Sequence, residues 1–195
     1  MNPDSAAHLA AGLGMNHHYD AIADSCVTGL PFGNAVLARW PMRSFATIRL
    51  PGVALIKPQP RCAVHAVVEV DGIAVSAIST HLETAYMSRR GRVAQARTMA
   101  HHRLVSQPVV TVVGGDFNSA SALAVRATDR VMAGAGMVRA TSGTQETFRR
   151  FALPFTLDHL YARGPHSRPL RVNASGVVSS ATASDHFPIW TDLAM

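Results

Sequence analysis

Apolar and polar positions divide the 195-residue chain into many short strands and a few helices. MNPDSAAHLAAGLG, residues 1–14, predicts a helix: Asp4 is a cap, the alanines and leucines favour helix, and Gly12 and Gly14 are stop signals. A short extended piece near 15–22 leads into a loop. GNAVLAR (33–39) has the pattern of a buried strand stopped by Pro41, with 43–50 as its expected partner. RCAVHAVVEV (61–70) and IAVSAIST (73–80) are β-rich runs flanking Asp71-Gly72, the clearest hairpin signal in the chain.

Residues 88–106 place Val93, Ala96, Ala100 and Leu104 on one helical face with arginines opposite. VVTVVGG (109–115) predicts a strand buried on both faces, 119–133 a helix, and 156–164, 170–178 and 186–194 three further strands. Hairpins mixed with covering helices indicate an α/β domain of two packed sheets with helices outside, rather than a pure βαβ alternation. The length fits one domain, residues 1–195, with a sizeable core.

Composition narrows the class. Hydrophobic residues make up 48% of the chain and charged residues 15%, which argues against disorder. Apolar runs stay well short of a membrane span, and the first residues lack a secretory pattern, so a cytoplasmic location is expected. The two cysteines, Cys26 and Cys62, lie far apart and are expected to be reduced and structural. The net charge of +6 suits a phosphate-bearing partner. That signal is diluted because Lys57 is the only lysine among 18 basic residues, the arginine bias of an Ala-, Val- and Gly-rich chain.

Candidate chemistry collects at strand ends: His81 after IAVSAIST, Asp116 and Asn118 after VVTVVGG, Asp158 within TLDHL, and Asp185-His186 before FPIW. Each has a plain alternative, a turn histidine or a helix cap, and Asn118-Ser119 is a natural cap for the next helix. Taken together they are harder to dismiss. In GGDFN, Asp116 and Asn118 sit at i and i+2, one face of extended chain, and Gly114 and Gly115 allow close approach. Hydrolysis of a phosphate ester needs an activated water, a cation for the phosphoryl charge, and a donor near the leaving oxygen. Carboxylate and amide oxygens suit Mg²⁺.

GNAVLARWPM, STHLE, GGDFN, LDHLY and SDHFPIW, in this order, resemble the endonuclease/exonuclease/phosphatase superfamily, from about Asp4 to the C-terminus. The superfamily includes pancreatic deoxyribonuclease, apurinic endonucleases, neutral sphingomyelinases and inositol-polyphosphate phosphatases. The resemblance implies a four-layered α/β sandwich and metal-dependent phosphoester hydrolysis with Mg²⁺ or Mn²⁺. It matches Asp116 to the aspartate that orients or deprotonates the attacking water. Asn118 corresponds to the asparagine that holds that water and a phosphate oxygen. His186 matches the histidine on the scissile phosphate, and Asp185 the neighbouring acid of metal binding or histidine support. His81 matches the histidine that contacts a phosphate oxygen or assists the leaving group. Asp158 matches the acid that steadies a catalytic histidine, either His81 or His186. Asn34 is carried over as a substrate-binding residue, and Gly33 as backbone geometry.

The same resemblance implies that two strands preceding DSAAHLAAGLG, the second ending in a metal-binding Gln-Glu pair, are missing. On that reading the domain is N-terminally truncated, either because Met1 is not the natural start or because the gene is a remnant. An exposed sheet edge open to self-association is then expected. Three glutamates remain, Glu69, Glu83 and Glu146, and only Glu83 lies near a candidate site residue. The alternative function is a degenerate, non-catalytic domain, inert or binding polyanions through its arginines. A zinc hydrolase built on His17-His18 or His101-His102 is disfavoured, because adjacent histidines lack the i, i+4 spacing of a helical zinc site. The substrate, whether nucleic acid, phospholipid or small phosphoester, is set by loops such as 51–60 and 140–155 that carry no signature. Arg149 and Arg150 are phosphate contacts or merely solvated.

Overall fold

The structure, a computed structural model, describes residues 5–25, 31–52, 60–84, 88–102, 110–141, 145–150, 153–165 and 170–194. Asp4, Cys26 and the predicted helical residues 103–106 lie outside them. Helix α1 (Ser5–Gly12) is followed by strands β1 (His17–Ser25), β2 (Pro31–Ala38), β3 (Met42–Arg49), β4 (Cys62–Val70) and β5 (Ile73–His81). Then come α2 (Arg89–Ala100), β6 (Val110–Asp116), α3 (Ala122–Gly134), β7 (Val138–Arg139), β8 (Phe148–Arg150), β9 (Leu153–Phe155), β10 (Asp158–Arg163), β11 (Arg171–Val177) and β12 (Ile189–Ala194).

A six-stranded mixed sheet, ordered β3-β4-β5-β6-β10-β7, is the centre of the molecule. Its pairings are antiparallel except β5 with β6, and α2 lies in the crossover between those two parallel strands. Asp71 and Gly72 take φ of 50° and 79°, the left-handed pair that a tight hairpin between β4 and β5 requires.

Alternation along the strands gives the sheet two faces. Ala63, Ile78, Val113 and Tyr161 point towards α2 and α3 and join Ala96, Met99, Ala100, Val131 and Met132 in the main apolar core. On the other face Cys62, a free buried thiol, receives Asn34 of β2. The hairpin β1–β2 packs over β4 and β5, with α1 packed against that hairpin, and β12 of the hairpin β11–β12 packs over β10. The order helix, hairpins, sheet, helices is the expected layered sandwich.

Some sequence expectations need correction. Residues 42–49 pair with β4, not with β2, because the Trp40-Pro41 corner carries the chain from one layer to the other; β2 pairs with β1. The second sheet is not continuous among the described residues: β1–β2 and β11–β12 are separate two-stranded units. Helix α2 stops at Ala100, where the His101 N–H closes on the Arg97 carbonyl. Helix α3 is capped by Ser121, whose hydroxyl accepts from the Ala124 N–H at 3.2 Å, and not by Asn118 or Ser119. At α1, Gly14 (φ 63°) lets the Met15 N–H reach the Ala10 carbonyl at 2.8 Å. Gly33 has a similar local reason, since a Cβ there would sit 1.9 Å from the Ala21 carbonyl oxygen.

Candidate active site

Three adjacent strands of the large sheet end together. His81 of β5 is opposite Asp116 of β6, and Asp116 is opposite Asp158 of β10, so one rung carries an imidazole and two carboxylates. All three point to the hairpin face, because their neighbours Thr80, Gly115 and His159 occupy the alternate positions. Close approach of β5 and β6 depends on Gly115 (φ 147°), where a Cβ would fall 1.8 Å from the Thr80 carbonyl oxygen.

Asp116 is the hub. Its Oδ2 lies 3.4 Å from His81 Nε2 and 3.9 Å from His186 Nε2, and its Oδ1 accepts the Asn118 backbone N–H at 2.7 Å. The extended spacing expected for Asp116 and Asn118 does not hold, because the strand ends at Asp116. Asn118 adopts φ 49° in a turn closed by the Asp116 carboxylate. The turn leaves the Asn118 amide free to donate to the Leu82 carbonyl at 2.9 Å.

His186 arrives from a different part of the chain. A single β-bridge joins it to Phe148; the Phe187 N–H donates to the Thr147 carbonyl and the Arg149 N–H to the Asp185 carbonyl. The Phe148 ring lies 4.6 Å from the imidazole. Nδ1 of His186 is 2.8 Å from Asp158 Oδ2, which settles which histidine Asp158 contacts. Asp185 lies exposed at the rim; its carboxylate is 3.4 Å from the Ser184 hydroxyl, and the contact that supports His186 comes from Asp158 instead. Asn34 sits near the same end, since Ala63 faces Thr80 and Cys62 is therefore level with His81. Its amide is taken up by the Cys62 carbonyl at 2.8 Å.

These environments move the titrations apart. Burial, then the nearby Asp158 charge, pushes the Asp116 carboxyl up to about 6. Burial, then the Arg61 charge, pushes His81 down to about 4. The hydrogen bond to Asp158 raises His186. Near neutral pH the arrangement therefore combines an ionised but basic carboxylate, an uncharged imidazole and a second imidazole biased towards its cation.

Thr147 and Phe148 carry no signal of a site role in the sequence. The buried Thr147 hydroxyl accepts the N–H groups of Leu157 and Asp158, at 2.9 and 3.0 Å, and so fixes the start of β10. Their stretch, TSGTQETFRR, is polar and aperiodic, and only long-range contact distinguishes them. Of the remaining glutamates, Glu69 pairs with Arg43 and Glu146 with Arg149 at the surface. Glu83 is buried and turned to Arg61. Arg149 also lies over the Phe187 ring, 5.5 Å from its centre.

Among the described residues no three His, Cys, Asp or Glu side chains converge as a metal cage. Mg²⁺ does not need one, because it keeps several waters and takes one or two carboxylates. Asp116, a hard oxygen donor at the hub, fits such an ion; neither histidine pair does, as His101 is exposed at the end of α2 and His17-His18 point to opposite faces of β1.

No curated protein sequence matches the chain. Solved structures do. D. rerio TDP2 humanized by 14 mutations superposes with a TM-score of 0.77 at 15% identity, covering 100% of this chain and 83% of that one. The human Nocturnin catalytic domain with bound sulfate gives 0.74 at 19%, covering 98% and 76%. The mannosyl-6-phosphatase of Bacteroides thetaiotaomicron gives 0.70 at 16%, covering 97% and 80%. At these identities the likeness concerns the fold. The model of the Endonuclease/Exonuclease/phosphatase family matches residues 1–186, and with that match the chain belongs to this family.

Proposed function

We propose that this protein hydrolyses phosphoester bonds at the rung formed by His81, Asp116 and Asp158. The observation that carries the reading is the Asp116 carboxylate, flanked by two histidine Nε2 atoms while its other oxygen holds the Asn118 turn. A basic carboxylate at about 6 orients an attacking water and takes its proton without being neutralised at pH 7. His186, biased towards its cation by Asp158, donates Nε2–H to a phosphoryl oxygen and offsets the charge developing there. His81 is uncharged at neutral pH and contributes one N–H to the phosphate rather than a strong acid to the leaving group. Asn118 borders the same space, and Asn34 and the exposed Asp185 lie at its margins.

Asp116, with Asp185 at the rim, would hold Mg²⁺ or Mn²⁺, which supplies Lewis-acid stabilisation of the phosphoryl charge when bound. Nucleic acid, phospholipid and small phosphoesters all fit this chemistry; among the similar structures, one of D. rerio TDP2 holds a single-strand DNA product and another is a mannosyl-6-phosphatase. A second reading, a domain without turnover that binds polyanions, is favoured by one observation: among the described residues no group of three His, Cys, Asp or Glu is placed to hold a metal ion.

Hydrolysis of bis(p-nitrophenyl) phosphate separates the two. Turnover with Mg²⁺ that EDTA abolishes and that Asp116→Ala and His186→Ala each reduce ~100-fold or more supports hydrolysis. Turnover that survives EDTA and both substitutions rules out this mechanism, and no turnover at high Mg²⁺ favours the second reading.

A further inference from the structure

Beside the rung lies a charged pair to which the proposed reaction assigns no direct step. Arg61 and Glu83 are only 4% and 0% exposed, yet Arg61 Nη2 donates to Glu83 Oε1 at 3.2 Å. The Phe32 ring covers the guanidinium, 5.2 Å from its centroid. Two buried charges carry a large desolvation penalty before any attraction is counted, and well-packed apolar residues would often serve stability as well. The pair therefore calls for a role in geometry.

Its contacts supply one. The same Glu83 oxygen accepts the Thr84 N–H at 2.9 Å, and the Glu83 N–H donates to Gln95 Oε1 at 2.9 Å. Gln95, buried on α2, also donates to the Pro51 carbonyl, and Arg92 donates to the Thr84 carbonyl at 2.9 Å. Residues 82–84 are thus clamped by Arg61, just before β4, and by α2 immediately after His81. The Leu82 N–H donates to the Asp116 carbonyl at 2.9 Å, and the Leu82 carbonyl receives the Asn118 amide at 2.9 Å. Asn118 in turn holds Asp116 Oδ1 through its backbone N–H.

We infer that Glu83 is a positioning residue: with Arg61 and Gln95 it fixes the 82–84 segment, so that the Leu82 carbonyl holds the Asn118 amide and, through the Asn118 turn, the Asp116 carboxylate. Both the Arg61 and the Thr84 contact fall on Glu83 Oε1, which ties that oxygen to the clamp. The kinetic consequence rests on the proposed hydrolysis; the structural one does not.

The test uses the full chain in two arms. In ¹⁵N spectra the Asn118 side-chain NH₂ pair is assigned by its loss in Asn118→Ala. Glu83→Gln is expected to shift that pair and speed its exchange with water, and an unmoved pair overturns the inference even if the chain hydrolyses nothing. On bis(p-nitrophenyl) phosphate, Glu83→Gln is expected to lower kcat about tenfold with KM within about twofold. In the Asn118→Ala background the further loss should be under about twofold, because both changes act through one contact. Losses that multiply in full, or a wild-type kcat, overturn it. Should Glu83→Gln fail to fold, the double variant Arg61→Met/Glu83→Leu removes both charges at similar volume. It is expected to fold, to displace the Asn118 pair and to show the same kcat loss; an undisplaced pair there overturns the inference.

Discussion

The two faces of the large sheet are built from the same strands and do opposite work. On the helix face, Val113, Ile78 and Tyr161 pack against Met99 and Met132, and the polar groups serve structure, as Tyr161 does in donating to Asp129 at 2.8 Å. On the hairpin face, one residue along each strand, stand His81, Asp116 and Asp158. The contrast is sharpest in the dipeptide Asp158-His159. Asp158 points to the site and holds His186, whereas His159 points into the core, 0% exposed, with neither ring nitrogen hydrogen-bonded among the described residues and its pKa pushed down by burial to about 4. Strand alternation, not residue type, decides which of two adjacent polar residues meets solvent and substrate.

Substitutions on each face should therefore separate activity from stability. The largest effect is expected at Asp116: Asp116→Ala should lower kcat/KM for bis(p-nitrophenyl) phosphate ~1,000-fold while leaving the urea midpoint near that of the parent, because it removes a group that burial already disfavours in its charged form. On the other face Met132→Ala should do the reverse, costing about 2–5 kcal/mol in urea unfolding with kcat per folded molecule unchanged.

A finer probe is Asp158→Asn. His186 is raised chiefly by its hydrogen bond to Asp158, so removing the carboxylate should lower its pKa. The alkaline limb of the kcat profile and the NMR titration of His186 should move together to lower pH. A titration that stays in place would detach Asp158 from His186.

The smallest expected effect lies at His159. Its folded pKa of about 4 is below the ordinary 6.5, so the fold disfavours its charged form. Its contribution is neutral above about pH 6.5, and stability is lost as pH falls from there towards 4. His159→Phe should flatten the fall in urea midpoint between pH 7 and pH 5; an unchanged slope would place the acid sensitivity elsewhere, for example at His81 or His65, which burial also lowers.

Much of this was legible in local pattern. The Asp71-Gly72 hairpin, the helix beginning after Ser88 and the double-sided burial of 110–113 follow from turn chemistry and periodicity, which involve neighbours a few residues apart. The expected pairing of 33–39 with 43–50 failed for the complementary reason: adjacency in sequence says nothing about a corner that moves the chain between layers. Gln95 gave no signal either, and Glu83 stands out only by lying near His81, since a polar residue bound for burial looks like a surface one until its partner from another element is known.

The sequence alone determined the helices and the longer strands, though not β7, β8 and β9, and the chemical inventory at strand ends, His81, Asp116, Asn118, Asp158 and His186, because periodicity and side-chain type are local properties. Only the tertiary structure decided that β5, β6 and β10 end on one rung, that Asp158 serves His186 rather than His81, and that Asn118 reaches its position through a left-handed turn. Those outcomes depend on sheet register and on contacts between residues 28 and 36 positions apart, which no local pattern encodes.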